Sequence, residues 1–431
     1  MVTTVATAVK ELTIARYFGR NDAIDAFFIA YLLPSFSVTL VVGSLGAALI
    51  PVYVDVRRKG GSGPAQELFS SVMFLTVLAL TAIAVLLGLF SSYYLPFLGS
   101  GFSPEKLIMT RELLVALLPF VLFSGIALCV TSVLNAGEQF ALPALTPLAT
   151  PLIVILFVIF TARLWNAYAI VIGTVFGSVV EASALARTLN KQGIRFRVKW
   201  NGLTEDVRAV LRQYSPMIAG SFLMGSTLVV DKSMAAMLPG GSVAALTYAN
   251  KIVSAVFAIG ASALGTAAFP YFSGMIADKD WGGCRHTLKR YTVLLLAITV
   301  PFTVCLIAFS KPLVRLLFQH GAFTPADTVL VSKVQTCYLI QLPFYILAIL
   351  FVRFLSAAKR NDVLMYGAGI GLILDVVLNL VFMRYWGVAG IALSTSAVYA
   401  CTLAYVAVYS MRVLRESQDV AYAVHVRTNP S

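Results

Sequence analysis

Leu45-Gly46-Ala47-Ala48-Leu49-Ile50-Pro51 lies inside an apolar stretch at residues 23–54, and a near copy, Leu264-Gly265-Thr266-Ala267-Ala268-Phe269-Pro270, lies 219 positions later inside another at 243–275. The length of these stretches sets the class of fold. About 20 apolar residues cross a bilayer core as a helix, and in lipid the backbone must satisfy its own hydrogen bonds, so long apolar runs are helices. Their recurrence sets the architecture. Gly101-Phe102-Ser103-Pro104 returns as Ala322-Phe323-Thr324-Pro325 at an offset of 221, and Leu118-Pro119-Phe120 as Leu342-Pro343-Phe344 at 224. Arg163-Leu164-Trp165 returns as Arg384-Tyr385-Trp386 at 221, with Ile170 and Thr174 matching Ile391 and Thr395. Matches in order at a nearly constant offset mark an internal repeat.

Working outward, apolar spans are read at 2–18, 23–54, 67–95, 107–135, 141–162, 166–188, 208–238, 243–275, 288–310, 326–357, 363–383 and 388–411. The expected fold is all-α and polytopic, with about 12 transmembrane helices. Each repeat unit holds six, so both halves enter the membrane the same way up, related by a pseudo-two-fold axis along its normal around a central cavity. The division expected is a first six-helix half at 1–189, a basic linker at 190–204, a second half at 205–412 and a tail at 413–431. The first span has no polar lead-in, which suggests that residues precede Met1.

Composition excludes a water-soluble domain. Of the 431 residues 59% are hydrophobic and 12% charged, against about 45–50% and 25% in soluble domains. The net charge of +13 does not point to nucleic acid, because the cations cluster in short loops between spans. With the N-terminus inside, 19 of the 32 Lys and Arg fall in inner segments and 7, Lys106 and Arg20 among them, in outer ones. That bias places both termini on the cytoplasmic side. The five cysteines are scattered, mostly within apolar runs, without metal spacing. No Walker-type phosphate loop and no carboxylate or His cluster occurs in a loop, so an enzyme is not expected, nor is any cofactor.

Ionisable groups inside spans cost roughly 2.5–3.5 kcal/mol each and point to function by default. Asp231 and Lys232 are read as snorkelling near a helix end, and Glu181 as a partner of Arg187 or Lys191. Lys10, Asp25 and Lys251 are harder to assign to structure. Lys10 lies inside span one beside Glu11, and Lys251 about 12 Å into span eight at 1.5 Å per residue. Cations facing a cavity suit an anionic head group such as a pyrophosphate; local pairing of Lys10, Glu11 and Asp25 is the structural alternative. Ser103-Pro104-Glu105 and Thr324-Pro325-Ala326-Asp327 read as capped helix starts, and residues 312–318 as a short helix on the outer interface.

Lys10-Glu11, Ala15-Arg16-Tyr17-Phe18-Gly19 and Asp25-Ala26-Phe27-Phe28 resemble, at the same spacing, the opening of the MurJ (MviN) lipid II flippases, part of the wider group of multidrug, oligosaccharidyl-lipid and polysaccharide exporters. Tyr248-Ala249-Asn250-Lys251, Leu264-Gly265-Thr266-Ala267 and Phe318-Gln319-His320-Gly321-Ala322-Phe323-Thr324 resemble later elements of that family. The chain departs from it in carrying Lys at 10 and 251 where the family has Arg, in lacking the Arg-Arg pair after Pro34, and in showing twelve spans rather than fourteen. The resemblance implies a flippase moving an undecaprenyl-pyrophosphate-linked peptidoglycan precursor by alternating access. Lys10, Glu11, Arg16, Asp25, Asn250 and Lys251 would face the cargo, and Pro34, Gly46, Pro51, Gly265 and Pro270 would let helices bend. Membrane lipids and a coupling ion are the other implied partners. A flippase for another lipid-linked polysaccharide unit, a cation-coupled drug antiporter and a non-transporting membrane scaffold remain as alternatives. The antiporter predicts an acid-dominated cavity, which Lys10 and Lys251 oppose.

Overall fold

The computed structural model describes residues 2–428; the side chains of 259–268 and 418–428 lie outside the described residues. Those described form helices joined mostly by short turns, with one longer non-helical segment at 192–204. In order they are α1 (Val2–Phe18), α2 (Asp22–Val38), α3 (Ser44–Gly60), α4 (Ser62–Leu89), α5 (Ser91–Leu98), α6 (Pro104–Ala136), α7 (Ala141–Leu145), α8 (Ala149–Trp165), α9 (Tyr168–Lys191) and α10 (Glu205–Ala236). Then follow α11 (Ser242–Ala277), α12 (Trp281–Ala308), α13 (Ser310–Phe318), α14 (Pro325–Leu339), α15 (Gln341–Ala357), α16 (Asn361–Trp386) and α17 (Val388–Thr428).

Twelve helical stretches result once α2 continues into α3, α7 into α8 and α14 into α15, with α5 and α13 set aside as short helices. Among the described residues, nine such stretches are long and apolar enough to cross a membrane. The other three are α1, α10 and α11. α1 has 17 residues and carries Lys10, Glu11 and Arg16. In α10 the charges, Glu205, Asp206, Arg208, Arg212, Asp231 and Lys232, sit toward the ends, and the uncharged middle is diluted by Gln213, Pro216 and several Ser, Gly and Thr.

Local chemistry sets the helix starts. Asn21, Ser103, Thr204 and Asp280 each accept, through a side-chain oxygen, a backbone N–H two or three residues into the helix they precede, meeting the orphan donors of a first turn. Pro34 stands inside α2, and five residues later the chain makes one π-helical turn, Thr39–Gly43, before α3 begins. A proline and a π turn are two recognised causes of a bent helix.

The chain forms two compact units, Met1–Ala244 with Leu317–Asp327, and Ala245–Leu316 with Thr328–Ser431. In the first, α6 packs against α2, α3, α4 and α9, around a core that includes Leu49, Tyr53, Phe69, Met73, Val130 and Leu134. In the second, α17 packs against α12, α15 and α16, around Phe272, Leu288, Phe351, Phe354 and Leu414. Packing inside the units repeats. The pairs α4·α6, α6·α9 and α8·α9 of the first have counterparts α12·α15, α15·α17 and α16·α17 in the second, one offset of the sequence repeat apart. The short helices α5 and α13 also match, each preceding a Phe-Ser-Pro or Phe-Thr-Pro helix start.

Large apolar side chains cover the outside. Leu164 is 81% exposed, Phe160 77% and Ile373 68%, a surface suited to lipid and not to water. Cys129 and Cys284 are buried as core hydrophobes, Cys337 is half-buried, and Cys305 and Cys401 are exposed on helix surfaces. Asp231 is also not a snorkelling group: it is 6% exposed. Lys232 instead lies over the Phe28 ring, 5.3 Å from its centroid.

Candidate functional site

Asp25, among the predicted site residues, is buried and held by three hydrogen bonds. It lies in the first turn of α2 and is 1% exposed. Its Oδ2 accepts from Lys106 Nζ at 3.0 Å and from the Gly241 backbone N–H at 2.6 Å, and its Oδ1 from the Ala244 N–H at 2.8 Å. Gly241 and Ala244 bracket the first residues of α11, so this carboxylate caps a helix 216 positions away. The position suits a negative charge, because orphan N–H groups and the helix dipole both favour an anion there.

Lys106, an outer-segment cation by its place in the sequence, lies within α6 and is buried. Its side chain is 8% exposed and bridges Asp25 and, at 2.6 Å, Asp22. It also lies 4.0 Å from the centroid of the Phe102 ring. The cause is the Ser103-Pro104 cap: it begins α6 at Pro104, three residues before the expected span, which makes Lys106 a first-turn helical residue. The local pairing expected between Asp25 and Lys10 is absent; the ammonium on Asp25 is that of Lys106.

A second tie joins the same region. The turn after α1 meets residues 317–327, where the Ala322 N–H donates to the Arg16 carbonyl at 2.8 Å. Gly19 and Gly321 hold this contact. Both have positive φ, +60° and +64°, and a β-carbon on either would run into the other strand's backbone, at Ala322 O and Arg16 O respectively. Beside them Arg20 Nε donates to Asp327 Oδ1 at 2.9 Å. Asp327 also completes a capping box: its Oδ2 accepts from the Thr324 N–H, and Thr324 Oγ1 accepts from the Asp327 N–H. The helix-start motif read from the sequence is present, and it carries an ion pair as well.

One region of the first unit thus gathers the α1–α2 turn, the start of α6, the start of α11 and the start of α14 through buried or half-buried ionic bonds. The family model for the lipid II flippase MurJ matches residues 14–428. The chain belongs to the MurJ lipid II flippase family. It is 27% identical over 403 residues to a probable lipid II flippase MurJ of Buchnera aphidicola (subspecies Schizaphis graminum), covering 90% of this chain and 76% of that one. It is 26% identical over 389 residues to the lipid II flippase MurJ of Thermosipho africanus, covering 90% and 78%. A solved MurJ in an inward closed conformation matches with a TM-score of 0.80 at 23% identity, over 99% of this chain and 91% of that one. An inward-facing multidrug resistance MATE family transporter matches at 0.78 and 12% identity, over 97% and 96%. At these identities the two structures speak for a shared fold.

The other residues aligned with the MurJ pattern fall in separate places. Lys10 Nζ lies 3.2 Å from Glu11 Oε1, with Glu11 3% exposed and Lys10 half-buried. Arg16 contributes its backbone carbonyl to the turn described above, and its side chain is exposed. Asn250 and Lys251 are half-buried on α11 in the second unit, where Asn250 Oδ1 accepts from Ser254 Oγ at 2.7 Å. Glu181 accepts from Thr150 Oγ1 at 3.2 Å, not from the Arg187 or Lys191 expected. Of the bend positions, Pro34 is buried inside α2 just before the π turn, and Pro51 and Pro270 lie exposed inside unbroken helices. Gly46 packs closely on Ser132 of α6, so a β-carbon there would have to displace the Ser132 hydroxyl. Gly265 lies outside the described residues.

Sequence reading missed Lys106, Arg20, Asp22 and the Gly241–Ala244 amides as members of this site. One signal was present: Lys106 follows a helix cap by three positions, where a cation opposes the helix dipole and so calls for a carboxylate partner.

Proposed function

We propose that this chain is a flippase that carries a lipid II-type undecaprenyl-pyrophosphate precursor between leaflets by alternating access. Membership of the MurJ family supports the substrate class, and the Asp25 cluster is the single observation that carries the mechanism. A buried carboxylate that caps α11 from α2, neutralised by Lys106 from α6, is a closed latch. Opening that end requires Asp25 to release two backbone amides and an ammonium, and Arg20 to release Asp327. All four are charge-assisted bonds, which are strong when made and costly when left half-made.

On this reading the latch lies on the outer face, both termini are cytoplasmic, and two six-helix halves at 1–189 and 205–412 move about the basic linker 190–204, with 413–431 as tail. Lys10 and Lys251 hold the pyrophosphate, with Glu11, Arg16 and Asn250 beside them, and Asp25 gates. Pro34 and the π turn after it supply the bend of the second crossing, with Pro51, Gly46, Gly265 and Pro270 at the remaining bend positions. A coupling ion supplies the drive.

The test is transport by the purified chain in vesicles, with labelled lipid II and a simpler undecaprenyl-pyrophosphate saccharide offered separately. Movement of lipid II supports the reading. Movement of the simpler saccharide alone reassigns the chain to another lipid-linked unit, and movement of neither overturns the flippase.

A further inference from the structure

An apolar cavity of about 310 Å³ opens on the first unit, away from the Asp25 cluster. Its walls are Val72, Leu75, Leu78, Ala79 and Ala82 of α4, Val41 and Leu45 around the π turn, and Val207, Val210, Leu211 and Tyr214 of α10. Thr76, which also lines it, donates its hydroxyl to the Val72 carbonyl at 2.8 Å, so it offers the cavity little polarity. From Val72 to Ala82 the groove runs ten residues along α4, about 15 Å at 1.5 Å per residue. That is one leaflet of a hydrocarbon core about 30 Å thick.

One end of the groove is basic. The segment before α10 is tied along α4: Gln66 bonds both the N–H and the carbonyl of Arg195, Asn201 bonds Ser71 and the Glu67 carbonyl, and Trp200 packs on Phe74 with ring centroids 5.7 Å apart. This leaves Arg195, Arg197 and Lys199, at alternate positions, all exposed. On α10, Arg208 and Arg212 are one turn apart, on the stripe beside the groove-lining Leu211, and both are exposed. The acids nearby are Glu67, Glu205 and Asp206; Arg208 lies 4.0 Å from Glu205 in an exposed pair. Cations remain in excess over acids at this end, and they stand where the ordering of Asn201 against Ser71 places the start of the groove.

We propose that this groove holds an acyl chain of an anionic phospholipid, with its phosphate on Arg208 and Arg212 and Lys199 beside them. Bulk lipid fills any groove on a membrane protein. What marks this one is a depth of one leaflet with fixed cations at its head end, the combination that retains an acidic lipid through apolar burial and charge together. Arg suits the phosphate because its planar fork bonds two oxygens at once. The site is distinct from the latch, and the proposal does not depend on the flipping reading.

The experiment is native mass spectrometry of the full chain in detergent, titrated with phosphatidylglycerol, with phosphatidylcholine and with a polyprenyl phosphate. Phosphatidylglycerol is expected to bind in preference to phosphatidylcholine. Arg208→Gln with Arg212→Gln should weaken phosphatidylglycerol by about thirtyfold, from the loss of two basic groups near an acidic head. Ala79→Trp, which fills the groove and leaves the cations, should weaken it too, with an unchanged melting temperature showing that the fold is kept. Equal binding of the two phospholipids, loss of neither kind in both variants, or a preference for the polyprenyl phosphate overturns the proposal.

Discussion

Arg20 and Asp327 are 307 positions apart and bonded at 2.9 Å, and the same carboxylate that accepts from Arg20 closes the capping box of α14 with Thr324. Its two oxygens are divided between the jobs, Oδ1 to Arg20 and Oδ2 to Thr324. Replacing Asp327 therefore loosens a helix start and a tertiary tie at once. Asp327→Asn keeps an oxygen for one of them. We expect Asp327→Asn to lower stability by about 1.5–3 kcal/mol, the scale of a hydrogen bond to a charged group, and Asp327→Ala to lower it further. Arg20→Gln, which spares the cap, should cost less than Asp327→Ala. Thermal unfolding in detergent gives the order, and an Arg20→Gln loss as large as that of Asp327→Ala would remove the dual role.

Lys106 supports a sharper comparison. Removing one member of a buried ion pair leaves a bare charge and costs about 3–5 kcal/mol, whereas removing both costs much less. Lys106→Met should destabilise by that amount, because Asp25 is 1% exposed and keeps only two amide donors. Adding Asp25→Asn to Lys106→Met should recover part of the loss. The double-mutant cycle is read by melting temperature. Additive losses would mean that the two side chains do not act as a pair.

Gly19 and Gly321 give a test that involves no charge. Each has positive φ, and each faces the other segment's backbone with no room for a β-carbon. Strain of this kind costs about 1–3 kcal/mol, and the clash adds to it. Gly321→Ala is expected to weaken transport and lower stability together, while Gly61→Ala, at φ +79° but with open space around it, should bring the strain without the clash. Equal effects at both positions would show that the interlock contributes nothing.

The fold was legible because its signals are local and repeated. Twelve apolar runs, their proline-containing motifs and the constant offset between them follow from the length of a bilayer crossing and from helix capping. The two repeat starts at Ser103 and Thr324 form the caps their residues specify. The site was legible only at its centre. Asp25 was identified because an acid inside a span is costly, but its partners were not. Lys106 and Arg20 sit at helix ends, where a cation reads as a loop charge unless, as at Lys106, a helix cap three positions earlier marks it as needing a carboxylate. Backbone amides carry no residue signal at all, so Gly241 and Ala244 could not have been nominated. What decides these contacts is which helix ends the fold brings together, and hydrophobic pattern does not encode that.

Lys251 tests the cargo reading. If it holds a pyrophosphate in the cavity, the charge matters more than the shape of the head, because Lys binds phosphate as a point charge. Lys251→Ala should abolish growth of a strain depleted of its own flippase at normal expression, while Lys251→Arg should retain most of it. Lys10 sits 3.2 Å from Glu11, so Lys10→Ala should have the smaller effect unless Glu11 is changed with it. Full complementation by Lys251→Ala would remove the head-group role.

The latch itself can be locked. The Ala322 N–H and the Arg16 carbonyl are 2.8 Å apart, which brings the two residues near enough to try a disulfide between them. The five native cysteines are free, so Arg16→Cys with Ala322→Cys is built in a background where they are replaced by Ser or Ala. If the turn after α1 must part from residues 317–327 for cargo to leave, the oxidised protein should not transport and the reduced protein should. The bond is confirmed by the mass change on thiol labelling before and after reduction. Transport at full rate by the oxidised protein would mean that this contact stays closed throughout the cycle, and the opening would then have to lie elsewhere in the fold.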